Sequence, residues 1–199
     1  EVVRLVEAGH LKVLRLGEVL EDVARHPFLS TALHLKGGTA LNLCFGPPAR
    51  LSVDLDFNYV GAADRAGMQA DRPKVETAVE RIARGRGYQV QRSRDEHAGR
   101  KIYLGYLGSS GTLDRVEVDL NFIHREKLVP SLRRTLWQPG ELPRPEAEVV
   151  GLEELCIGKL CALLSRALPR DLHDAVRLPR LAQGVWETRR FHSLFVAMA

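Results

Sequence analysis

Asp54 and Asp56 stand two residues apart in the run Arg50-Leu51-Ser52-Val53-Asp54-Leu55-Asp56-Phe57-Asn58. Leu51, Val53, Leu55 and Phe57 alternate with Ser52, Asp54, Asp56 and Asn58, which predicts a strand over 50–60. Its two carboxylates then point the same way, about 7 Å apart along the backbone. Like charges so placed repel unless a cation sits between them, and carboxylate oxygens are the ligands Mg²⁺ takes. Two such ions about 4 Å apart hold the attacking and leaving oxygens of a phosphoryl transfer, and they need a third carboxylate arm. Residues 116–122 offer one, because Glu117, Asp119 and Asn121 share a face opposite Val116, Val118, Leu120 and Phe122. Asp119 is the expected third ligand and Glu117 the second choice. The competing reading is a solvated strand face carrying ordinary aspartates.

A second feature lies upstream. Ala32-Leu33-His34-Leu35 predicts a short strand running into Gly37 and Gly38, with Thr39 as the N-cap of a helix through Phe45. Glycines at such a turn leave backbone amides uncovered at the positive end of a helix dipole, where a phosphate is favoured. The same pair also serves plain turn geometry. A phosphate on Thr39 itself would fill that anion position and compete with a nucleotide.

The elements that must position these residues form an α/β chain. Residues 2–26 carry Leu5, Leu11, Leu14, Val19, Leu20 and Val23 at helical spacing. Residues 73–86 predict another amphipathic helix through Val75, Ala78, Val79 and Ile82, followed by strands at 88–94, 100–107 and 113–123. Pro130, Pro139, Pro143 and Pro145 then mark a link. The expected division is a core over 1–145 and a helical part over 146–199 that closes the cleft. In that second part, helices are expected over 152–168, from a cap at Asp171 to about Leu178, and over 186–198.

The run Leu35-Lys36-Gly37-Gly38-Thr39-Ala40-Leu41-Asn42-Leu43, then Arg50 to Phe57, resembles the signature of the AbiEii/AbiGii toxin family, nucleotidyltransferase-like toxins that include the MenT group. The match is dense over these segments and loose over the rest. One departure is the 14-residue spacer between Thr39 and Asp54, which holds Pro47 and Pro48. The resemblance implies a DNA polymerase β-type fold with a mixed sheet. Gly37, Gly38 and Thr39 would cradle the triphosphate of an NTP, Arg50 and Ser52 would assist, and Asp54, Asp56 and Asp119 would bind Mg²⁺ or Mn²⁺. Lys159 and Arg166, seven apart on one helix face, would contact phosphate. Asp174, taken to face outward from its helix, would act as a general base, with Asp171 as the alternative for that late motif. Without the resemblance, Lys159 reads as a snorkelling residue, Asp171 as a cap and Arg50 as a partner for a nearby carboxylate.

Composition sets the outer bounds. The 199 residues carry a formal net charge of +4, are 45% hydrophobic, and contain no apolar run near the roughly 18 residues of a membrane span. Cys44, Cys156 and Cys161 fit neither a zinc pattern nor a disulfide framework, so a cytoplasmic setting is expected. Residues 72–101 hold nine Arg or Lys against four acids, enough for an RNA footprint if they fall on one face. The resemblance implies that the acceptor is the 3′ end of tRNA, with translation blocked, and that an AbiEi-type antitoxin is the partner. A nucleotidyltransferase acting on a protein hydroxyl, or an inactive nucleotide- or RNA-binding module, are the other readings.

Overall fold

The computed structural model describes residues 2–94 and 99–198, with side chains from residue 9 onward. Leu5 thus lies outside the described side chains, and Asp95 and Glu96 outside the described residues. The chain forms two compact units, residues 1–126 with 133–149 and residues 127–132 with 150–199. Among the described residues no helix is long and apolar enough to cross a membrane.

The first unit is built on a seven-stranded mixed sheet. In chain order its strands are β1 (Leu33–Lys36), β2 (Asp54–Tyr59), β3 (Gln89–Arg92), β4 (Gly99–Leu107), β5 (Leu113–Asn121), β6 (Leu132–Thr135) and β7 (Glu146–Val149). Their spatial order is β3-β4-β5-β2-β1-β7-β6. β2 runs parallel to β5 and antiparallel to β1, so the two aspartate-bearing strands are neighbours at the centre. The Pro-rich stretch is more than a link, since it contributes β6 and β7, and β7 pairs with β1 in parallel through Leu35 and Val149.

Helix α1 (Val2–Arg25) buries Val13, Leu16, Val19, Leu20 and Val23. Leu11 and Leu14 are only half-buried, so the buried stripe is rotated from the expected one while keeping its period. Pro27 ends the helix, and a single turn, α2 (Leu29–Ala32), precedes β1. Helix α4 spans Arg65–Gly85 and starts earlier than the expected 73–86. The Asp64 carboxylate caps it by accepting the Gly67 amide at 2.8 Å, and the helix runs through Pro73.

α4 is held to the sheet by charge as well as by Val75 and Val79. Glu76 and Glu80 are buried, and Arg72, Arg84, Arg92 and Arg100 close on them. Arg86 pairs with Asp22, Lys74 with Asp71 and Lys101 with Glu117. Most of the cationic stretch 72–101 is therefore engaged inside the protein, which weakens it as a free polyanion footprint.

The second unit contains α5 (Leu152–Arg166), α6 (Pro169–Leu181) and α7 (Arg189–Met198). Ala167, left-handed at φ 48°, ends α5, and Pro169 opens α6 with its φ already suited to the first turn. The Trp186 and Phe191 rings lie 4.9 Å apart, and the Trp186 indole N–H donates to the Leu178 carbonyl.

Candidate active site

β1 ends at Lys36, and the chain turns directly into α3 (Gly37–Cys44). Gly37 sits at φ +73°, in the region that favours glycine, and a Cβ there would fall 2.1 Å from Asp56 Oδ2. A Cβ on Gly38 would fall 2.8 Å from Ser52 Oγ and 3.1 Å from Arg50 Nη2. One two-residue turn thus carries a carboxylate against its first residue and a guanidinium and a hydroxyl against its second. Asn42, named in the run Leu35 to Leu43 but given no role from the sequence, donates from Nδ2 to the Gly38 carbonyl at 3.0 Å and secures the turn from inside the helix.

Thr39 does not cap the helix. Lys36 holds the N-cap position, and the Thr39 hydroxyl, fully buried, donates instead to the backbone carbonyl of Asp54. This bond ties the turn to the start of β2. The long spacer leaves the strand register intact, because the extra residues form the loop before Asp54.

Strand register then lays out the carboxylates. Asp54 is opposite Glu117 and Asp56 opposite Asp119 on the parallel β5, while Lys36 lies opposite Asp56 and Lys101 opposite Asp119. The result is a row across four strands: Lys36, Asp56, Asp119, Lys101. The Lys101 ammonium pairs with Glu117 and lies 3.5 Å from Asp119 Oδ2, and these carboxylates hold its pKa above the ordinary lysine value. At the other end of the row, burial and the charge of Lys36 lower the His124 pKa and favour the neutral ring.

Neither lysine was singled out from sequence. Each has a signal in hindsight: Lys36 directly precedes the glycine pair, and Lys101 falls on the strand expected over 100–107.

An all-oxygen donor set on adjacent strands is of the type Mg²⁺ or Mn²⁺ takes. Among the described residues, however, no three or more His, Cys, Asp or Glu side chains are gathered into a metal-holding group. Lys101 holds Glu117 and Asp119. The buried Cys44 and Cys156 are not nucleophile candidates, since burial pushes both thiols up to about 12.

The other expected site residues lie in the helical unit. Lys159 and Arg166 do share a face of α5, and each meets an aspartate of α6. Lys159 Nζ is 2.8 Å from Asp174 Oδ2, and Arg166 binds Asp171 through Nε and Nη2 at 2.8 and 2.9 Å. Asp174 therefore does not face outward as expected, and Asp171 is an ion-pair partner rather than a cap. Both aspartates have no exposed surface, and Lys159 is itself buried.

The Arg166 hydrogen bonds hold the Asp171 carboxyl below the usual 3.8. A depressed folded-state pKa gives stability that is present above the unfolded value and lost as pH falls through the folded one. The helical unit should accordingly lose stability on acidification below about pH 4. Asp171→Asn should flatten that acid limb in a circular-dichroism titration.

Comparison with known proteins bears on the family and the fold. A family model for the nucleotidyl transferase AbiEii toxin of type IV toxin–antitoxin systems matches residues 18–199. No curated protein matches the chain. Among solved structures, MenT4, a nucleotidyltransferase toxin from Mycobacterium tuberculosis H37Rv, superposes with a TM-score of 0.59 at 24% identity over 84% of this chain. The match spans 58% of the MenT4 chain, and at this identity it speaks for the fold alone. With the family model covering nearly the whole sequence, the chain belongs to the AbiEii nucleotidyltransferase toxin family.

Proposed function

We propose that this protein transfers a nucleoside monophosphate from an NTP to the 3′ end of tRNA, releasing pyrophosphate and blocking translation. The carrying observation is the turn at Gly37 and Gly38, where an anion-accepting pair, Arg50 and Ser52, and a cation-accepting carboxylate, Asp56, flank adjacent residues. A metal-bound triphosphate is the ligand class that uses both. Arg50 presents donors in a fixed fork suited to phosphate, Ser52 adds a hydroxyl, and the turn amides complete the cradle. Asp54, Asp56 and Asp119 are the residues that would hold Mg²⁺ or Mn²⁺. Such an ion, when bound, supplies activation of the attacking hydroxyl and charge neutralisation for the departing pyrophosphate.

Lys159, Arg166 and Asp174 enter through the family resemblance. Within their own unit, Asp174 fixes the Lys159 ammonium, so its first role is orientation. Service as a general base would require it to release that partner. The family places the protein in a toxin–antitoxin system, and we assign the AbiEi type to its antitoxin and the cytoplasm, where tRNA is found, to its site of action.

A protein hydroxyl is the second reading of the acceptor. The internal pairing of residues 72–101 favours it, because an RNA phosphate must compete with Glu76 and Glu80 for those arginines. Incubation with Mg²⁺ and each α-labelled NTP, separately with total tRNA and with total protein, decides between them. The expected result is a labelled tRNA band on a denaturing gel that disappears for Asp56→Ala. Label on protein alone would select the second reading, and NTP binding without any transfer would leave an inactive binding module.

A further inference from the structure

The four-strand row places two carboxylates between two lysines, and the lysines differ in freedom. Lys36 is half-buried at the base of the turn, whereas the Lys101 side chain is 44% exposed at the far end of the row. We propose that Lys101 is a built-in counter-ion that competes with a divalent cation for Glu117 and Asp119, so that metal enters only as the ammonium swings out. This rests on the reading of Asp54, Asp56 and Asp119 as the metal-holding residues.

The argument is electrostatic. Asp54, Asp56, Glu117 and Asp119 occupy facing positions on two hydrogen-bonded strands. Four carboxylates at that spacing repel one another, and the folded apoprotein needs positive charge among them. β4 supplies it, since the register sets Lys101 against Asp119 and Tyr103 against Glu117, leaving the ammonium between the two acids.

Lysine suits a removable counter-ion. It is a compact charge on a flexible stem and lacks the fork that would lock it bidentately onto a carboxylate. Its exposed stem lets the ammonium return to water, and a divalent ion then replaces it on the oxygens it leaves. The carboxylates are thus kept in register without metal, at the expense of a weaker apparent metal affinity.

The test is Mn²⁺ binding to the full chain without nucleotide, read from the EPR signal of the free ion. Lys101→Met should bind Mn²⁺ about threefold to fivefold more tightly than wild type, the scale of one partly exposed ion pair. Lys101→Arg should match or fall below wild type, and Asp56→Asn should lose the site. Equal or weaker binding by Lys101→Met, with Asp56→Asn still defective, would overturn the counter-ion role while leaving the metal-holding set intact. Undiminished binding by Asp56→Asn would overturn both. If Lys101→Met does not fold by circular dichroism, Lys101→Gln carries the same comparison.

Discussion

Lys159→Met should lower the stability of the helical unit by about 3–5 kcal/mol, the range found when one partner of a buried pair is removed. Asp174 has no exposed surface and its carboxylate lies 2.8 Å from the Lys159 ammonium. Taking the cation away strands an anion in a low-dielectric interior, where its desolvation is no longer offset. Urea unfolding followed by circular dichroism measures the loss. The double variant Lys159→Met with Asp174→Leu should recover most of it, because no unpaired charge remains. Single and double variants of equal stability would show that the pair carries no coupling. Lost transfer by the refolded double variant would then belong to the missing Lys159–Asp174 pair rather than to a broken fold.

Gly37→Ala should reduce nucleotidyl transfer by about a hundredfold or more, the cost of misplacing a reacting group by an ångström. The added methyl meets Asp56 Oδ2 at 2.1 Å, Cγ at 2.8 Å and Cβ at 3.0 Å, so the carboxylate itself must move. The backbone adds a further penalty of about 1–2 kcal/mol, because an alanine must hold the left-handed conformation at φ +73°. Gly158→Ala is the control, since nothing lies within 4 Å of its added methyl. Equal loss in both variants, in the labelled-NTP assay, would remove the special status of the turn.

Legibility followed the physics of each element. β2 was readable because one face is apolar and the other polar, so its period of two is printed in the residues. The glycine pair was readable because few other residues accept that turn. β6 and β7 were hidden by their own composition: Leu132-Arg-Arg-Thr135 and Glu146-Ala-Glu-Val149 are short, mostly polar and set among prolines. Their pairing is decided by distant partners, not by local pattern. Pro73 misplaced the start of α4, where the Asp64 cap was the better signal.

The helical unit misled in another way. α6 turns Asp171, Asp174 and Leu178 inward, while Leu172 and Val176 are exposed. Hydropathy assigns such a helix the opposite faces, because burial here depends on cations carried by α5. Thr39 was misread for a similar reason, its hydroxyl being drawn to a carbonyl fifteen residues away. Lys36 and Lys101 were passed over because a lysine gains meaning only from what lies across the strand.

The pairing of β1 with β7 bears on when the site can exist during synthesis. β1 carries the turn at its end, and one of its two edges is completed only by Val149, from a strand made long after the glycines have left the ribosome. Until that segment emerges, the centre of the sheet lacks a neighbour, and contacts between parts so distant in sequence form slowly. A nascent chain halted before residue 146 would hold every residue of the glycine turn and the aspartate strands without the edge that stabilises them. The last strand in sequence thus sets when the centre of the sheet is complete, after every strand that carries the glycine turn and the aspartates has already been made.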